Sequence, residues 1–250
     1  MQLRRFSLIL LPCLLVFALI SCKKEHGTPQ PPVPKIKTIQ GGNDLRTYSY
    51  DDKGRVSQIL LVLYGKYQYN YTDTGIVVSY YDTTGAFKGK TVYKLGANGR
   101  AISAYSSYST DQSSFTYNAA GQLAVSSSVR ALAGQPTRHW DYSYYYTNSN
   151  LDSEIVSYND GYTTTVSAYA YYDEYYTDKL NTMGNDNYGQ AFLGVSSKNP
   201  VKAARDIGHD NFGNYPQTNY SYEYDAKNQI TKQLHTWGTS SFTPISFTYY

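Results

Sequence analysis

A short phrase that recurs along the chain limits most strongly what the chain can fold into. Two aromatic residues that are separated by a single residue are followed by Asp or Asn. Within the next few positions come Gly or Asn and an apolar residue. The copies are Tyr48–Val56, Tyr69–Val77, Phe115–Leu123 and Tyr222–Ile230, with Val92–Ile102 as a looser one. Alternate residues share one face of a strand, Asp or Asn starts a turn, and Gly accepts a positive φ. The phrase therefore predicts a β-hairpin with both rings on one face.

The spacing of the copies predicts one hairpin per period. Gly54, Gly75, Gly99 and Gly121 are 21, 24 and 22 residues apart, which fits two short strands and two turns. Strands are also predicted at Trp140–Tyr146, Tyr162–Tyr172 and Ser246–Tyr250, and Ile59–Leu63 reads as a strand buried on both faces.

One long stretch, Tyr175–His209, breaks this pattern because it contains four glycines and lacks two-fold alternation. Within it, Asn199–Arg205 predicts a short helix, with Asn at the N-cap and Pro at the first helical position. The expected fold is all-β, an antiparallel meander of hairpins with about a dozen strands. It should form a strongly curved open sheet or partial barrel, with one irregular insertion that is either functional or a cover for one end of the sheet.

The phrase resembles the signature of the YD-repeat (Rhs-like) family. Tyr50-Asp51 with Gly54-Arg55-Val56 matches best, Tyr224-Asp225 is followed by Asn228 in place of Gly, and Tyr117-Asn118 lacks both Asp and Arg. The resemblance covers roughly residues 45–130 and 215–250. It implies a curved antiparallel meander and a small bacterial envelope lipoprotein of unknown function.

The N-terminus predicts export. Met1–Arg5 is positively charged and Phe6–Ile20 is apolar, as in a signal peptide. Leu19–Cys22 resembles the bacterial lipoprotein box, which implies cleavage before Cys22 and a lipid on its sulfur; an ordinary signal peptide or a signal anchor is the alternative. The predicted organisation is a signal peptide at 1–21, a lipidated Cys and Pro-rich tether at 22–38, and one Tyr-rich β domain at 39–250.

Cleavage changes the charge and the cysteine content. Lys+Arg falls from 22 to 20 when Arg4 and Arg5 are removed, against 19 acidic residues. With no dense basic cluster, nucleic acid is not an expected partner. Cys13 is removed and Cys22 is lipidated, so no disulfide or thiolate site is expected. The expected partner is a membrane reached through the lipid, and Lys23, where some lipoproteins carry a retention Asp, favours the outer membrane.

The chemical motifs argue against most enzymes. There is no Gly-x-Ser-x-Gly elbow and no His-Glu-x-x-His, and Asn185–Asn187 is only a fragment of a calcium loop, which Asx-turns explain equally well. No cofactor and no metal site is predicted. An outer-membrane barrel, the rival architecture, needs a continuous lipid-facing apolar band, whereas the alternate positions here are mostly Ser, Thr, Asn and Gly.

Tyrosine is the remaining signal, with 30 Tyr against 8 Phe. A ring that is apolar but ends in a hydroxyl suits a binding face, although cross-strand ring ladders explain the same choice structurally. The leading hypothesis is a non-catalytic binding or scaffold module for a glycan or an envelope protein. The candidate binding residues are Tyr67, Tyr69, Tyr71, Trp140, Tyr142, Tyr144, Tyr146, Tyr169, Tyr171, Tyr220, Tyr222 and Tyr224.

Two alternatives come from other classes. An envelope polysaccharide hydrolase requires two carboxylates facing each other across a cleft, and Asp141, Asp173, Glu174 and Glu223 are available. A purely structural spacer requires no concave aromatic cluster at all.

Overall fold

The computed structural model describes residues 32–250 except 132, 163–166 and 209–215, with the backbone alone at 167–169, 207 and 208. Strands account for most of this range. They are β1 Ile36–Gly41, β2 Asp44–Tyr50, β3 Val56–Leu61, β4 Gly65–Tyr71, β5 Gly75–Tyr81, β6 Phe87–Leu95, β7 Ala101–Ser106, β8 Asp111–Tyr117, β9 Leu123–Arg130, β10 Arg138–Thr147, β11 Asn150–Asn159, β12 Ser167–Tyr175, β13 Val201–Gly208, β14 Thr218–Tyr224, β15 Ile230–Trp237, β16 Ser240–Ser241 and β17 Ile245–Tyr249.

The sheet closes into a barrel. Each strand from β1 to β15 pairs antiparallel with the next along the chain, and β1 also pairs with β17. The two-residue β16 lies beside β15, which also pairs directly with β17, so the other sixteen strands form the closed ring. The antiparallel meander is thus confirmed, but the expected open sheet is wrong. Closure leaves no sheet edge to be covered or paired elsewhere.

The predicted turn chemistry is present. Asp51 Oδ1 accepts hydrogen bonds from the amides of Lys53 and Arg55 at 3.0 and 2.9 Å, and Gly54 has φ 70°. The copy that has Asn in place of Gly works in the same way, with Asn228 at φ 58°. A similar Asx-turn at Asp82, with Gly85 at φ 83°, joins β5 to β6 at one end of the barrel. The turns of the recurring phrase join β2 to β3, β4 to β5, β6 to β7, β8 to β9 and β14 to β15, and they lie at the opposite end because each follows an even-numbered strand of the meander.

The long loop between β12 and β13, residues 176–200, occupies that end; we call it the plug, and the end it fills the plug end. Backbone hydrogen bonds join it to the starts of the barrel strands, from Ile36 N to Asn187 O and from Val56 N to Gly189 O at 3.0 and 3.1 Å. Gly189 (φ 68°) is required there, because a Cβ would lie 2.6 Å from Val56 N. The plug therefore continues the backbone bonding of the barrel rather than resting loosely on it.

Five tyrosines show why Tyr is preferred to Phe. Each lies near the plug end of its strand and donates its hydroxyl to the carbonyl of the first residue of a neighbouring strand, at 2.6–2.9 Å. The pairs are Tyr50 to Ile36, Tyr71 to Val56, Tyr146 to Leu123, Tyr222 to Val201 and Tyr249 to Ile230. A backbone carbonyl inside a packed core needs such a donor, which Phe lacks.

The interior packs unevenly. Strands β1–β7, β15 and β17, the packed wall, contribute nine of the twelve buried hydrophobic residues. Plug residues Met183, Tyr188, Phe192 and Leu193 pack against them. Strands β8–β14, the cavity wall, contribute only Val156 and Ala203 to the buried hydrophobic residues in the described part of the chain. The lumen is therefore filled on one side and left partly open on the other.

Two local predictions are wrong. Asn199 and Pro200 end the plug, and the residues that follow form β13 instead of a helix, because β12 and β14 flank them with backbone partners. The described insertion has a single 3₁₀ turn, Ala191–Leu193. The run Ile59–Leu63 is not buried on both faces, since Leu60 and Leu63 are 41% and 51% exposed.

The N-terminal predictions concern residues that lie largely outside the described range. The signal peptide and Cys22 are in the undescribed part, and β1 begins at Ile36, inside the range predicted as tether. The final strand predicted at Ser246–Tyr250 is confirmed as β17. No helix among the described residues is long and apolar enough to cross a membrane.

Candidate functional site: a cavity between the plug and the barrel wall

A cavity of about 590 Å³ lies between the plug and the cavity wall. This volume is typical of small-molecule sites. Its lining comes from β8–β15 and from the plug. The lining residues are Phe115, Tyr117, Leu123, Tyr144, Tyr146, Leu151, Asp173, Tyr175, Asn181, Met183, Asn185, Leu193, Val195, Ser196, Ser197, Asn199, Pro200, Val201, Tyr220, Tyr222 and Gln233.

Strand alternation supplies the rings of this cavity. Tyr142 and Tyr144 stack on β10 with ring centroids 6.3 Å apart and planes 10° from parallel. Tyr146, next on the same face, is fixed by its bond to Leu123 O, and burial raises its pKa to about 12. Tyr144 meets only a side chain, the hydroxyl of Ser126 at 3.3 Å. The cavity wall therefore combines rings tied to the backbone with a ring that has a more adaptable hydroxyl.

The plug side of the cavity is polar and well ordered. Asn199 and Asn150, both buried, exchange hydrogen bonds at 2.9 and 3.0 Å, which tie the end of the plug to β11. Tyr175 hydroxyl lies 3.2 Å from both Ser197 Oγ and Asp173 Oδ2. These groups give the cavity hydrogen-bonding atoms opposite its aromatic wall.

Among the described residues, Asp173 is the one carboxylate that lines the cavity. Burial raises its pKa to about 6, although the hydrogen bond from Tyr175 opposes this shift. Glu154 on the neighbouring strand also faces the lumen, and burial and then the charge of Asp173 raise its pKa. No Lys, Arg or His is among the residues that line the cavity in the described part of the chain, so this negative charge is not neutralised there.

Several predicted binding residues gather on the cavity wall. Tyr144, Tyr146, Tyr220 and Tyr222 line the cavity itself. Tyr142 stacks on Tyr144, and Tyr171 is 37% exposed on β12.

Other predicted residues lie elsewhere. Trp140 stacks on Tyr158 at 5.2 Å, nearer the far end of the barrel. Tyr224 lies beside Lys179, whose ammonium is 5.3 Å from its ring centroid. Tyr169 has its backbone in β12, but its side chain is outside the described residues.

The stripe of Tyr67, Tyr69 and Tyr71 belongs to the packed wall. These rings pack against the buried cluster around Ile76 and Phe192. Tyr69 hydroxyl accepts a hydrogen bond from the Gln190 side chain at 2.9 Å, and Tyr71 donates to Val56 O. This stripe holds the plug in place instead of lining the open cavity.

The carboxylates considered for a hydrolase separate into two groups. Asp173 faces inward, whereas Glu174 faces outward and pairs with Arg205 at 3.3 Å. Glu223 pairs with Lys232 at 2.8 Å on the outer face, and Asp141 occupies an outward position of β10. Of this set, only Asp173 could meet a lumenal ligand.

Sequence reasoning missed several lining residues. Phe115 and Tyr117 form one copy of the recurring phrase, and Tyr175 lies two residues after Asp173 on the same face of β12. Strand alternation could have identified all three. The plug residues Asn181 and Ser197 carry no such signal, since only the seating of the plug brings them to the cavity.

Comparisons with known proteins define the class of fold. No protein-family model and no curated protein matches the sequence. Among solved structures, the chain is similar to a porin-like protein from Bacteroides vulgatus, with a TM-score of 0.65 and 13% identity over 87% of this chain and 99% of that one. It is also similar to a porin-like protein from Bacteroides uniformis, with a TM-score of 0.58 and 15% identity over 88% and 98% of the two chains.

These similarities define the fold as a porin-like antiparallel barrel. They also correct the resemblance to the YD-repeat family, which is wrong: the chain closes on itself as a single barrel, and the structures similar to it are porin-like proteins. The Tyr-Asp phrase has a local cause, since Asp51 and Asp225 form Asx-turns and the tyrosines bond to the carbonyls of neighbouring strands. The same Tyr-Asp phrase is therefore expected in any antiparallel barrel that has such turns and such hydrogen bonds.

Proposed function

We propose that this protein is a non-catalytic binding module of the bacterial envelope that takes a short glycan into the cavity between its plug and its cavity wall. The supporting observation is the lining: rings of Tyr144, Tyr220 and Phe115 on one side, with amide and hydroxyl groups such as Asn181 and Ser197 on the other. Sugar rings present an apolar face and a rim of hydroxyls, which such a lining complements. A cavity of this volume accommodates a small saccharide.

The closed barrel restricts what kind of partner the tyrosines can meet. Their side chains point into the lumen, and the plug occupies one end of it. A folded protein partner cannot reach these rings without opening the barrel, whereas a small molecule needs only the cavity. The geometry therefore favours a glycan over an envelope protein as the ligand.

Much of the outer face is polar, which favours a barrel surrounded by water rather than by lipid, although the outward residues Val125, Tyr145 and Ile155 are apolar and 40–51% exposed. On four strands spaced round the barrel, three successive outward positions are polar. They are Lys66, Gln68 and Asn70 on β4; Gln112, Ser114 and Thr116 on β8; His139, Asp141 and Ser143 on β10; and Asn219, Ser221 and Glu223 on β14. A membrane-spanning barrel needs an apolar band at these positions.

A barrel surrounded by water needs another means of attachment to a membrane, and the lipid proposed at Cys22 would provide it. We propose that the protein is anchored there, in the outer membrane. Metabolic labelling with a fatty acid should mark the full chain and not the Cys22→Ala variant, which should also lose membrane fractionation. Equal labelling of both chains would contradict the anchor without affecting the lumenal site.

A glycan array followed by titration of tyrosine fluorescence tests the lumenal site. Tyr144→Ala should weaken binding of any glycan that the array identifies by about tenfold, or about 1.4 kcal/mol. Tyr145→Ala is the matched control, because Tyr145 is the next residue on β10 but is 51% exposed on the outer face. Equal effects of the two substitutions, or no glycan bound by the unaltered chain, would contradict the proposal.

The hydrolase alternative has one observation in its favour, the inward pair of Asp173 and Glu154 with raised pKa values. Glu154, however, is not among the side chains that line the cavity. Release of reducing sugar by the unaltered chain, abolished by Asp173→Asn and by Glu154→Gln, would support this alternative over simple binding.

A further inference from the structure

The charge on the lining of the cavity is negative. Asp173 contributes a carboxylate to its lining, while the described lining contains no Lys, Arg or His. Glu154 lies nearby on β11, close enough for the Asp173 charge to affect its ionisation. A ligand that enters this space therefore meets negative charge that the protein leaves without a counter-ion.

A second observation points the same way. Asp206 on β13 is paired in register with Tyr171 on β12, as is Glu154 on the other side, so both carboxylates occupy the inward face beside Tyr171. One oxygen of Asp206, Oδ1, is buried and has no hydrogen-bond partner among the described residues. Three neighbouring strands thus each direct one carboxylate into the same side of the lumen.

The rings add attraction for the same kind of charge. The rings of Tyr144, Tyr220 and Tyr222 line the same cavity as Asp173, and the face of an aromatic ring carries partial negative charge. A carboxylate with several ring faces around it is the arrangement that proteins use to bind ammonium groups. The ionised form of Asp173 would be stabilised by a cation in place of the water that burial removes.

We propose that the cavity selects a ligand that bears a positively charged amine, and that Asp173 is the residue that recognises it. This inference rests on the proposed function and deepens it, because it predicts an amino sugar with a free ammonium group rather than a neutral sugar. Asp173 then supplies the charge, the tyrosine rings contact the apolar face of the sugar, and the amide and hydroxyl groups of the plug meet its hydroxyls.

The experiment compares two probes of the same sugar backbone, one with an ammonium group on each sugar unit and one with a neutral acetamido group there, and the Asp173→Asn variant separates the effect of charge from that of the added acetyl groups. The full chain is titrated calorimetrically at pH 6.5, where most amines of the probe are protonated and most of Asp173 is ionised, with a β-1,4-linked glucosamine trisaccharide and with its fully N-acetylated counterpart. The charged probe should bind at least about tenfold more tightly than the neutral one. Asp173→Asn should remove this preference while the neutral probe still binds.

Glu174→Gln is the matched control, because Glu174 is the adjacent residue of β12 but faces outward, with its side chain 52% exposed. This variant should keep the full preference for the charged probe. Equal affinity for both probes, or a preference that survives Asp173→Asn, would overturn the inference and leave the proposed function standing. Failure of both probes to bind would also overturn the inference, and the proposed function would fall with it only if the glycan array found no bound glycan.

Discussion

The packed wall and the cavity wall both carry tyrosines at alternate, inward positions of their strands but differ in what covers their inner faces. On the packed wall, Tyr69 and Tyr71 lie against Ile76 and the plug residue Phe192. On the cavity wall, Tyr144 and Tyr220 border an open space that also contains Asp173. Strand alternation thus turns the rings inward on both walls, and the position of the plug determines which rings are packed and which remain accessible.

The plug produces this difference because its largest apolar side chains pack against the packed wall, although Val195 also lines the cavity. Met183 and Tyr188 pack against the cluster around Ile36 and Val56. The segment facing the other side, from Val195 to Asn199, presents hydroxyl and amide groups to the cavity. An insertion that served only to close one end of the barrel would be expected to make apolar contacts with both the packed wall and the cavity wall.

The largest expected effect compares apolar truncations on the two walls. Ile76→Ala should lower the free energy of unfolding by about 2–5 kcal/mol, because Ile76 is 1% exposed and its removal leaves a hole in the packed wall. Leu151→Ala, on the cavity wall, should cost less, since one side of Leu151 already borders open space. Denaturant unfolding measures both, and equal losses would show that the two walls are packed alike.

The next largest effect concerns the bonds from tyrosine to carbonyl. Tyr50→Phe should destabilise the protein by about 1–3 kcal/mol, since the carbonyl of Ile36 would lose its donor inside the packed wall. Tyr105→Phe, at a position 46% exposed on the outer face, should change stability by less than about 0.5 kcal/mol. Thermal unfolding of the two variants distinguishes a structural hydroxyl from a surface one. A similar melting temperature for both would contradict the role assigned to these hydroxyls.

The smallest effect is a pH dependence specific to the cavity wall. The pKa of Asp173 is raised by burial to about 6. The folded state therefore binds a proton more readily than the unfolded state, and the free energy of unfolding should fall as the pH rises from about 4 to about 6. Glu154, which faces Asp173 from β11, has its pKa raised too and contributes in the same direction. The phenols of Tyr175, Tyr220 and Tyr222 stay protonated throughout this range, since burial raises their pKa values further.

Asp173→Asn should flatten this slope, whereas Glu174→Gln should not. Because Asp173 is only partly buried, the change should be on the order of 1 kcal/mol. Urea unfolding across this pH range provides the measurement. An unchanged slope in Asp173→Asn would place the responsible group elsewhere.

Much of the fold was accessible from the sequence because its signals are local. The alternation of Tyr48 and Tyr50, the Asx-turn at Asp51 and the positive φ of Gly54 together specify a hairpin without reference to the rest of the chain. The same logic placed most candidate tyrosines on inward faces. The helix expected after Asn199 failed because an N-cap and a proline are weak local preferences, and β12 offered the following residues a full set of backbone partners.

The sequence by itself determined the strands, their turns and which side chains share a face, since each depends on residues only a few positions apart. Tertiary structure decided the rest. Closure joins β1 to β17, where the hydroxyls of Thr38 and Thr248 meet at 2.7 Å across 210 residues, and it depends on the summed twist and tilt of every strand between them. The cavity, the uncompensated charge of Asp173 and the division between packed and open walls follow from where the plug comes to rest, and no short stretch of sequence encodes that position.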